Sequence, residues 1–388
     1  MKFFHTGDWH LGKLVHGIHM DEEQKYVLDK LIDKIKIYDP QLIIIAGDIY
    51  DRSIPPVSSV ELLNEFLNTV VLKMKKKIIM ISGNHDSSNR LSFGNKLLED
   101  QGLYIVGEID KDIKKIVLED EYGKLNIYPI PYMDVSMGRF IYEDDEIKTH
   151  DDLLKKITDN IKSNMNKDER NIVIYHGFVI NLNKKEDVEI SDSERPLSIG
   201  GSDYIDVNYF TDFDYSALGH LHKPQKVLNE NIRYSGSLMK YSFSEHNQRK
   251  AITLVDLKAK GDLSYELLDL VSRRDLRVIK GNLNDLIDEK IYKNTNVDDY
   301  IMAILTDEGE IYDAPSKLKA VYPNLLKIEL KRNISDKKID IDNEDFEKKD
   351  ILELFKDFYE ENTNIEFDEN KKNILRDFAK EIKLWGEK

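Results

Sequence analysis

Five short apolar runs, each breaking at its end into a polar cluster, constrain this chain more than any other feature. "FFHT" leads into Gly7, Asp8 and His10; "LIIIA" into Gly47, Asp48 and Asp51; "KIIMIS" into Gly83, Asn84, His85 and Asp86. Further on, "NIVIY" leads into His176 and Gly177, and "YSAL" into Gly219, His220 and His222. Apolar runs of this length ending at glycine read as buried strands that turn sharply. Between them lie helical stretches. In "DEEQKYVLDKLIDKIKIYDP", Leu28, Leu31, Ile32 and Ile35 fall at i, i+3, i+4 and i+7, and Pro40 ends the pattern. In "VELLNEFLNTVVLKM", Leu62, Leu63, Phe66, Leu67 and Val70 share a face. Strand and helix in alternation predict an α/β layered domain.

Open α/β sheets bind ligands outside the carboxyl ends of their strands, and all five polar clusters would fall there. Five of the ten histidines are spent in them. A single buried histidine more often satisfies backbone groups than holds a ligand, but five in register with two aspartates and an asparagine describe one site. His5, His16, His19, His150 and His246 lack that context and read as surface or packing residues.

Composition narrows what such a site can hold. The chain has no cysteine, so a metal would be bound by His, Asp, Glu or Asn, a donor set for hard or borderline divalent ions. With 388 residues, two or three domains are expected. A formal charge of −16 excludes a broad electrostatic grip on nucleic acid, though not a local cleft with cations and a few arginines. "MKFFHTGDWH" carries no basic stretch followed by an apolar leader, and no apolar run is long enough to span a bilayer, so a cytoplasmic location is expected.

The blocks "GDWH", "GDIYD", "GNHD", "HG" and "GHLH", in this order, resemble the calcineurin-like metallophosphoesterases. "RLSFGNKLLEDQGLYIVG", "YSGSLMKYSFSE" and "AVYPNLLKIEL" are similar to the SbcD family of bacterial nuclease subunits within that superfamily. The resemblance covers most of the chain and is weakest around residues 143–147 and 181–194. Four positions after Gly47, archaeal and eukaryotic counterparts carry histidine where this chain has Asp51, as in the bacterial branch. Which group assists His85 stays open on that ground, and Asp51 counts with His85 among the candidate catalytic residues.

The resemblance implies a layered β-sheet sandwich flanked by helices and two divalent ions per chain. One ion would take Asp8, His10 and His222, the other Asn84, His176 and His220, with Asp48 bridging. Mixed imidazole, carboxylate and amide donors suit Mn²⁺, whereas oxygen donors alone would suit Mg²⁺ or Ca²⁺. Hydrolysis of a DNA phosphodiester calls for cations that neutralise its oxygens, an activated water and stabilisation of the leaving alkoxide. His85, next to Asn84, is placed at the rim to move a proton. The activity implied is exonuclease action on double-stranded ends and endonuclease action on single strands and hairpins, in replication, recombination and repair, together with the SMC-like ATPase SbcC. The alternatives are another metallophosphoesterase, acting on phosphomonoesters or cyclic phosphodiesters, and a scaffold of the same fold without catalysis. Arg90 and the cluster Arg273, Arg274 and Arg277 are the candidate DNA contacts.

Three parts are expected: 1–272 as the nuclease domain, 273–332 as a capping domain, and 333–388 as a charged linker with a helical segment. "AITLVDL" and "SYELLDL", joined by "KAKGD", predict a hairpin that completes the first domain's sheet. "RVIKG", "LNDLIDEK", "DYIMAILTDE", "SKLKAVYP" and "LLKIEL" read as strand, helix, strand, helix and strand, a small α+β unit. In the tail, Ile351, Leu354, Phe355 and Phe358 share one helical stripe, and Leu375, Phe378, Ile382 and Trp385 another. The resemblance makes this helical pair the SbcC-binding element, with Phe355, Phe358, Phe378, Ile382 and Trp385 as its contacts, and makes the helix after Pro56 and the segment after "GNHD" a homodimer contact.

Overall fold

The computed structural model describes residues 1–182, 188–194, 204–307, 311–331, 355–356, 359–360 and 367–381. It divides into two compact units, Met1–Arg277 and Val278–Lys388.

In the first unit the predicted apolar runs are strands. One six-stranded sheet has the order Leu263–Asp269, Ala251–Leu257, Lys2–Thr6, Leu42–Ala46, Lys77–Ile81, Leu103–Val106. The last four strands are mutually parallel, and the hairpin Ala251–Asp269 adds antiparallel to Lys2–Thr6. A second six-stranded sheet has the order Gln225–Val227, Asn229–Tyr234, Tyr215–Gly219, Arg170–His176, Gly123–Ile130, Ile116–Asp120. Its four inner strands are parallel and its edges antiparallel.

The two sheets stack. Leu42, Ile44 and Ala46 from the first and Ile127, Ile172, Ile174 and Ala217 from the second share one core cluster. Alternation along the strand sends Ile43 and Ile45, also fully buried, to the opposite face of the first sheet. That two-sided burial explains why the run "LIIIA" is continuously apolar. On its other face the second sheet packs against the helix His150–Asn164, whose Leu153, Leu154, Ile157 and Ile161 join Tyr128, Ile130 and Val173 in a second core. Thr149 caps that helix, its hydroxyl accepting from the Asp152 N–H while Asp152 accepts from the Thr149 N–H.

The predicted helices form at Asp21–Tyr38 and Val57–Leu67, the second widening into a π-helical turn at Asn68–Lys73. Trp9 is wholly buried against Phe66 of the second helix, with ring centroids 5.0 Å apart and edge to face.

The second unit is the expected small α+β arrangement. The strands Leu276–Gly281, Tyr300–Leu305 and Leu325–Leu330 form its sheet, with helical turns at Leu283–Leu286 and Glu289–Tyr292 and the helix Ala314–Val321 between them. Leu283, Ile301, Ala303, Leu318 and Tyr322 make its core. In the tail the helix Glu369–Glu381 forms, and Phe355 and Tyr359 pack on the buried Phe367. Phe358, Ile382 and Trp385 lie outside the described residues, as does the side chain of Phe378. Among the described residues no helix is long and apolar enough to cross a membrane.

Candidate metal centre

The carboxyl ends of the parallel strands of both sheets meet, and the polar clusters meet with them. The Asp8 N–H donates to the Gly47 carbonyl at 3.0 Å and the His10 N–H to the Asp48 carbonyl at 2.9 Å, so the first two clusters run side by side. The His176 imidazole crosses from the second sheet to give its Nδ1 proton to the Ala46 carbonyl at 2.8 Å. This close approach requires glycine at two positions. A Cβ on Gly47, whose φ is +86°, would stand 2.3 Å from the His176 ring, and one on Gly219 would stand 1.8 Å from the Ala46 oxygen.

The backbone is strained where the site is built. Asp8, His10, Asp48 and His220 all have positive φ, at 51°, 45°, 48° and 110°. For non-glycine residues each such conformation costs on the order of 1–3 kcal/mol, and it persists only when the surroundings over-determine it. Asp8, for example, is gripped through its carboxylate, which accepts the His220 N–H at 2.9 and 3.1 Å.

The side chains converge as two neighbouring groups. Asp8, His10 and His222 are one set of buried residues able to share an ion, and Asp8, Asp48 and His176 another. His10 Nε2 lies 3.1 Å from His222 Nε2 and 3.5 Å from Asp48 Oδ2. Asp48 Oδ2 is likewise 3.5 Å from His176 Nε2, which lies 3.0 Å from Asn84 Oδ1. His220 stacks edge-on to His176 with ring centroids 5.5 Å apart. A third set, His10, Asp51 and His85, adjoins the first.

This donor set fits divalent cations. In the metal-free protein Asp48 and Asp8 outweigh burial and raise His176 to about 9, so its Nε2 carries a proton between the acceptors Asn84 Oδ1 and Asp48 Oδ2. Once that proton leaves, with Nδ1 committed to Ala46, Nε2 turns a lone pair to the same space. Lone pairs converging in a buried space call for a positive charge among them. Burial pushes the Asp8 carboxyl up to about 7, against the pull of His176 and His222. It lowers His10 far below the usual imidazole range and His220 to about 3, keeping both neutral as ligands must be. Burial also acts to raise Asp48, yet His176, His10 and His85 hold it well below an ordinary carboxyl.

His85 sits at the edge of this group. Its Nδ1 meets the backbone carbonyl of Asp51 at 2.8 Å, and its backbone N–H donates to Asp48 Oδ1 at 2.9 Å. Its Nε2 faces inward, 3.9 Å from Asp48 Oδ2. The Asp51 carboxylate pairs with Lys13 at 2.8 Å and lies 3.7 Å from His10 Nδ1 and 4.0 Å from His85 Nδ1. Of the residue singled out as a catalytic candidate, then, it is the carbonyl that orients His85.

The arginine candidates are placed differently from a free basic cluster. Arg273 bonds Glu22 and Glu23 at 2.9 Å each, and Arg274 bonds Glu23 at 2.7 Å, both on the acidic first turn of the helix Asp21–Tyr38. Arg277 is half-buried, and Arg90 is exposed on the short helix Ser88–Leu91 directly after the "GNHD" loop.

Several residues that hold the site were not singled out by sequence reading. The Asp86 carboxylate accepts the N–H groups of Ile49, Tyr50 and Gly83, tying two ligand loops together. Its place in "GNHD" was visible, its task was not. Gln24 donates to the His10 carbonyl at 2.7 Å and accepts the Gly12 N–H at 3.0 Å. Glu194, from the stretch where family resemblance is weakest, accepts the His222 N–H at 2.7 Å, and Ser193 reaches His222 Nδ1 at 2.8 Å.

Residues 1–224 match the calcineurin-like phosphoesterase family, and residues 272–363 match a family described as the type 5 capsule protein repressor C-terminal domain. A curated relative, the SbcD component of the nuclease SbcCD from Staphylococcus epidermidis, is 36% identical over 364 residues, covering 94% of both chains. Among solved structures, a dimetal phosphatase from Danio rerio aligns over 70% of this chain and 96% of its own at 10% identity and a TM-score of 0.38. The phosphoesterase Yfce from E. coli aligns over 70% of this chain and all of its own at 13% identity and a TM-score of 0.28. Similarity at those scores adds nothing to the assignment.

Proposed function

The chain belongs to the calcineurin-like phosphoesterases, in the SbcD family, and on that premise we propose that it is a Mn²⁺-dependent DNA nuclease. It hydrolyses phosphodiester bonds as an exonuclease on double-stranded ends and as an endonuclease on single strands and hairpins. It works in the cytoplasm with the ATPase SbcC, in DNA replication, recombination and repair. The observation that carries the reading is the position of Asp48 Oδ2, 3.5 Å from both His10 Nε2 and His176 Nε2, which suits a carboxylate shared by two cations.

Asp8, His10 and His222 would hold one ion, Asn84, His176 and His220 the other, and Asp48 both. Two ions held so would supply charge neutralisation at the phosphate and activation of the attacking water. The remaining work falls to the chain. A carbonyl can only accept, so the Asp51 carbonyl fixes the His85 proton on Nδ1. Nε2 is then the atom that takes up a second proton and delivers it to the leaving alkoxide. Arg90, exposed beside that loop, is the best-placed of the arginine candidates for a phosphate contact.

The chain divides its labour as 1–272 for hydrolysis, 273–332 for capping the site and 333–388 for holding SbcC. A homodimer is supported by apolar side chains left exposed on both expected segments: Ile54, Val57 and Val60 around the start of the helix Val57–Leu67, and Phe93 and Leu97 after "GNHD".

Titrating Mn²⁺ and Zn²⁺ into cleavage of a DNA hairpin and a linear duplex, with the chain alone and with SbcC, tests this. Mn²⁺-dependent cleavage, stimulated by SbcC and ATP, is expected. Hydrolysis of phosphomonoesters without DNA cleavage would assign the site to a different phosphoesterase.

A further inference from the structure

Behind His222 lies a buried carboxylate that none of the metal-ligand positions uses. Glu245, on the short 3-10 turn Phe243–Glu245, is fully buried. Its Oε1 stands 3.2 Å from His222 Nδ1, and Ser193 Oγ bridges the same pair, 2.8 Å from His222 Nδ1 and hydrogen-bonded to Glu245. Its Oε2 pairs with the buried ammonium of Lys250 at 2.6 Å. Lys250 in turn donates to the His222 backbone carbonyl at 2.7 Å. His222 is thus gripped at its ring by Glu245 and at its backbone by the partner of Glu245.

A buried ion pair gains little stability over an apolar pair of the same volume, since desolvation offsets the attraction. The pair's value here is better read in what it does to His222. A carboxylate at Nδ1 can only accept, directly or through the Ser193 hydroxyl, so the ring proton is drawn to Nδ1 and the Nε2 lone pair faces His10 Nε2, 3.1 Å away. The corresponding histidine of the other group, His176, hydrogen-bonds through Nδ1 to the neutral Ala46 carbonyl at 2.8 Å, and the carboxylate nearest that nitrogen, Asp8 at 4.0 Å, is itself a candidate ligand rather than a supporting group behind the ring. A carboxylate makes the imidazole more basic than a carbonyl does, and partners of this kind typically govern metal affinity. The two histidines are therefore held differently at Nδ1, His222 by a carboxylate outside the candidate ligand set and His176 by a backbone carbonyl.

We infer that Glu245 is a positioning residue for His222, and that it makes the Asp8–His10–His222 position the tighter of the two. The inference rests on the two-cation reading of the site. It is tested on the full-length chain by Mn²⁺ titration, calorimetric and by electron paramagnetic resonance, with ¹⁵N-histidine spectra of the metal-free protein. The wild type should bind two ions in two affinity classes and show the His222 proton on Nδ1. Glu245→Gln should weaken one class by roughly 10–100-fold, leave the other unchanged and shift His222 toward a mixture of tautomers. Because that variant leaves Lys250 buried and unpaired, Glu245→Gln with Lys250→Met is the second arm, with the same selective loss expected. Equal weakening of both classes would make Glu245 a general structural residue and overturn the inference, as would an unchanged titration. A wild type that binds no pair of ions would overturn the two-cation reading itself.

Discussion

Asp48 and His85 are joined through one carboxylate oxygen: Asp48 Oδ1 accepts the His85 backbone N–H at 2.9 Å, which leaves Oδ2 turned between the histidines. On the proposed two-cation reading, the same residue would fix the loop that carries His85 and span both ion positions. Asp48→Asn removes its charge and can turn an amide N–H into the space meant for cations. DNA cleavage should be abolished and bound Mn²⁺ should fall at both positions, measured by elemental analysis after gel filtration. A variant that retains near wild-type cleavage would rule out the bridging role.

His85 has its Nδ1 on the Asp51 carbonyl, and its Nε2 stands 3.9 Å from Asp48 Oδ2, farther than the 3.5 Å at which His10 and His176 approach the same oxygen. His85→Ala should therefore keep both ions and bind DNA, while the cleavage rate falls by roughly 10²–10⁴-fold, the usual cost of losing a general acid or base. Metal content is the deciding measurement. Since His85 also lies in a set with His10 and Asp51 able to share an ion, loss of metal in this variant would make it a ligand.

The strands and most of the site were legible because each rests on a local signal. "LIIIA" is apolar at every position because both of its faces are covered, and the candidate ligands follow such runs directly. What stayed hidden depends on contacts distant in sequence. Nothing near Glu245 says that it will lie against His222, and nothing in "SRRDLR" says that Glu22 and Glu23 will occupy Arg273 and Arg274. The cluster looked free because its partners sit about 250 residues upstream. For Asp51 the sequence left open how it would assist His85, and its backbone carbonyl, which a sequence does not display, is what meets His85 Nδ1 at 2.8 Å.

The pH dependence of the metal-free protein follows from His176. Burial pulls its pKa down, but Asp48 and Asp8 prevail and carry it to about 9, above the ordinary 6.5. A folded pKa raised this way gives stability that is fully present below about 6.5 and is lost as the pH rises through 9. Asp8, raised to about 7, acts with the same sign at lower pH. Cations would take the place of those protons, so the gap in Tm between Mn²⁺-loaded and chelator-treated protein should widen from pH 6.5 to 9 by calorimetry. A constant gap would mean that His176 carries no proton in the empty site.

Phe93 and Leu97 are 87% and 81% exposed, and Val57 is 74% exposed, more apolar surface on these two segments than solvent contact alone explains. Light scattering at micromolar concentration should give twice the mass of one chain. Phe93→Asp with Leu97→Asp should return a monomer that still binds Mn²⁺. A wild-type chain that scatters as a monomer would remove the dimer from the proposal.

The tail is where the chain would meet SbcC. Phe355 and Tyr359 pack on Phe367 without enclosing everything apolar, for Phe355 remains 38% exposed and Ile374, on the helix Glu369–Glu381, 70% exposed. The apolar surface left at Phe355 and Ile374 is of the kind that a partner helix would cover. The candidate ion ligands all lie in the compact unit Met1–Arg277, remote in sequence from this segment. Deleting residues 343–388 should leave Mn²⁺ binding and basal cleavage intact while abolishing co-purification with SbcC and the stimulation of cleavage by ATP. If the shortened chain still elutes with SbcC at wild-type stoichiometry, the tether lies elsewhere and these aromatics form a core of their own.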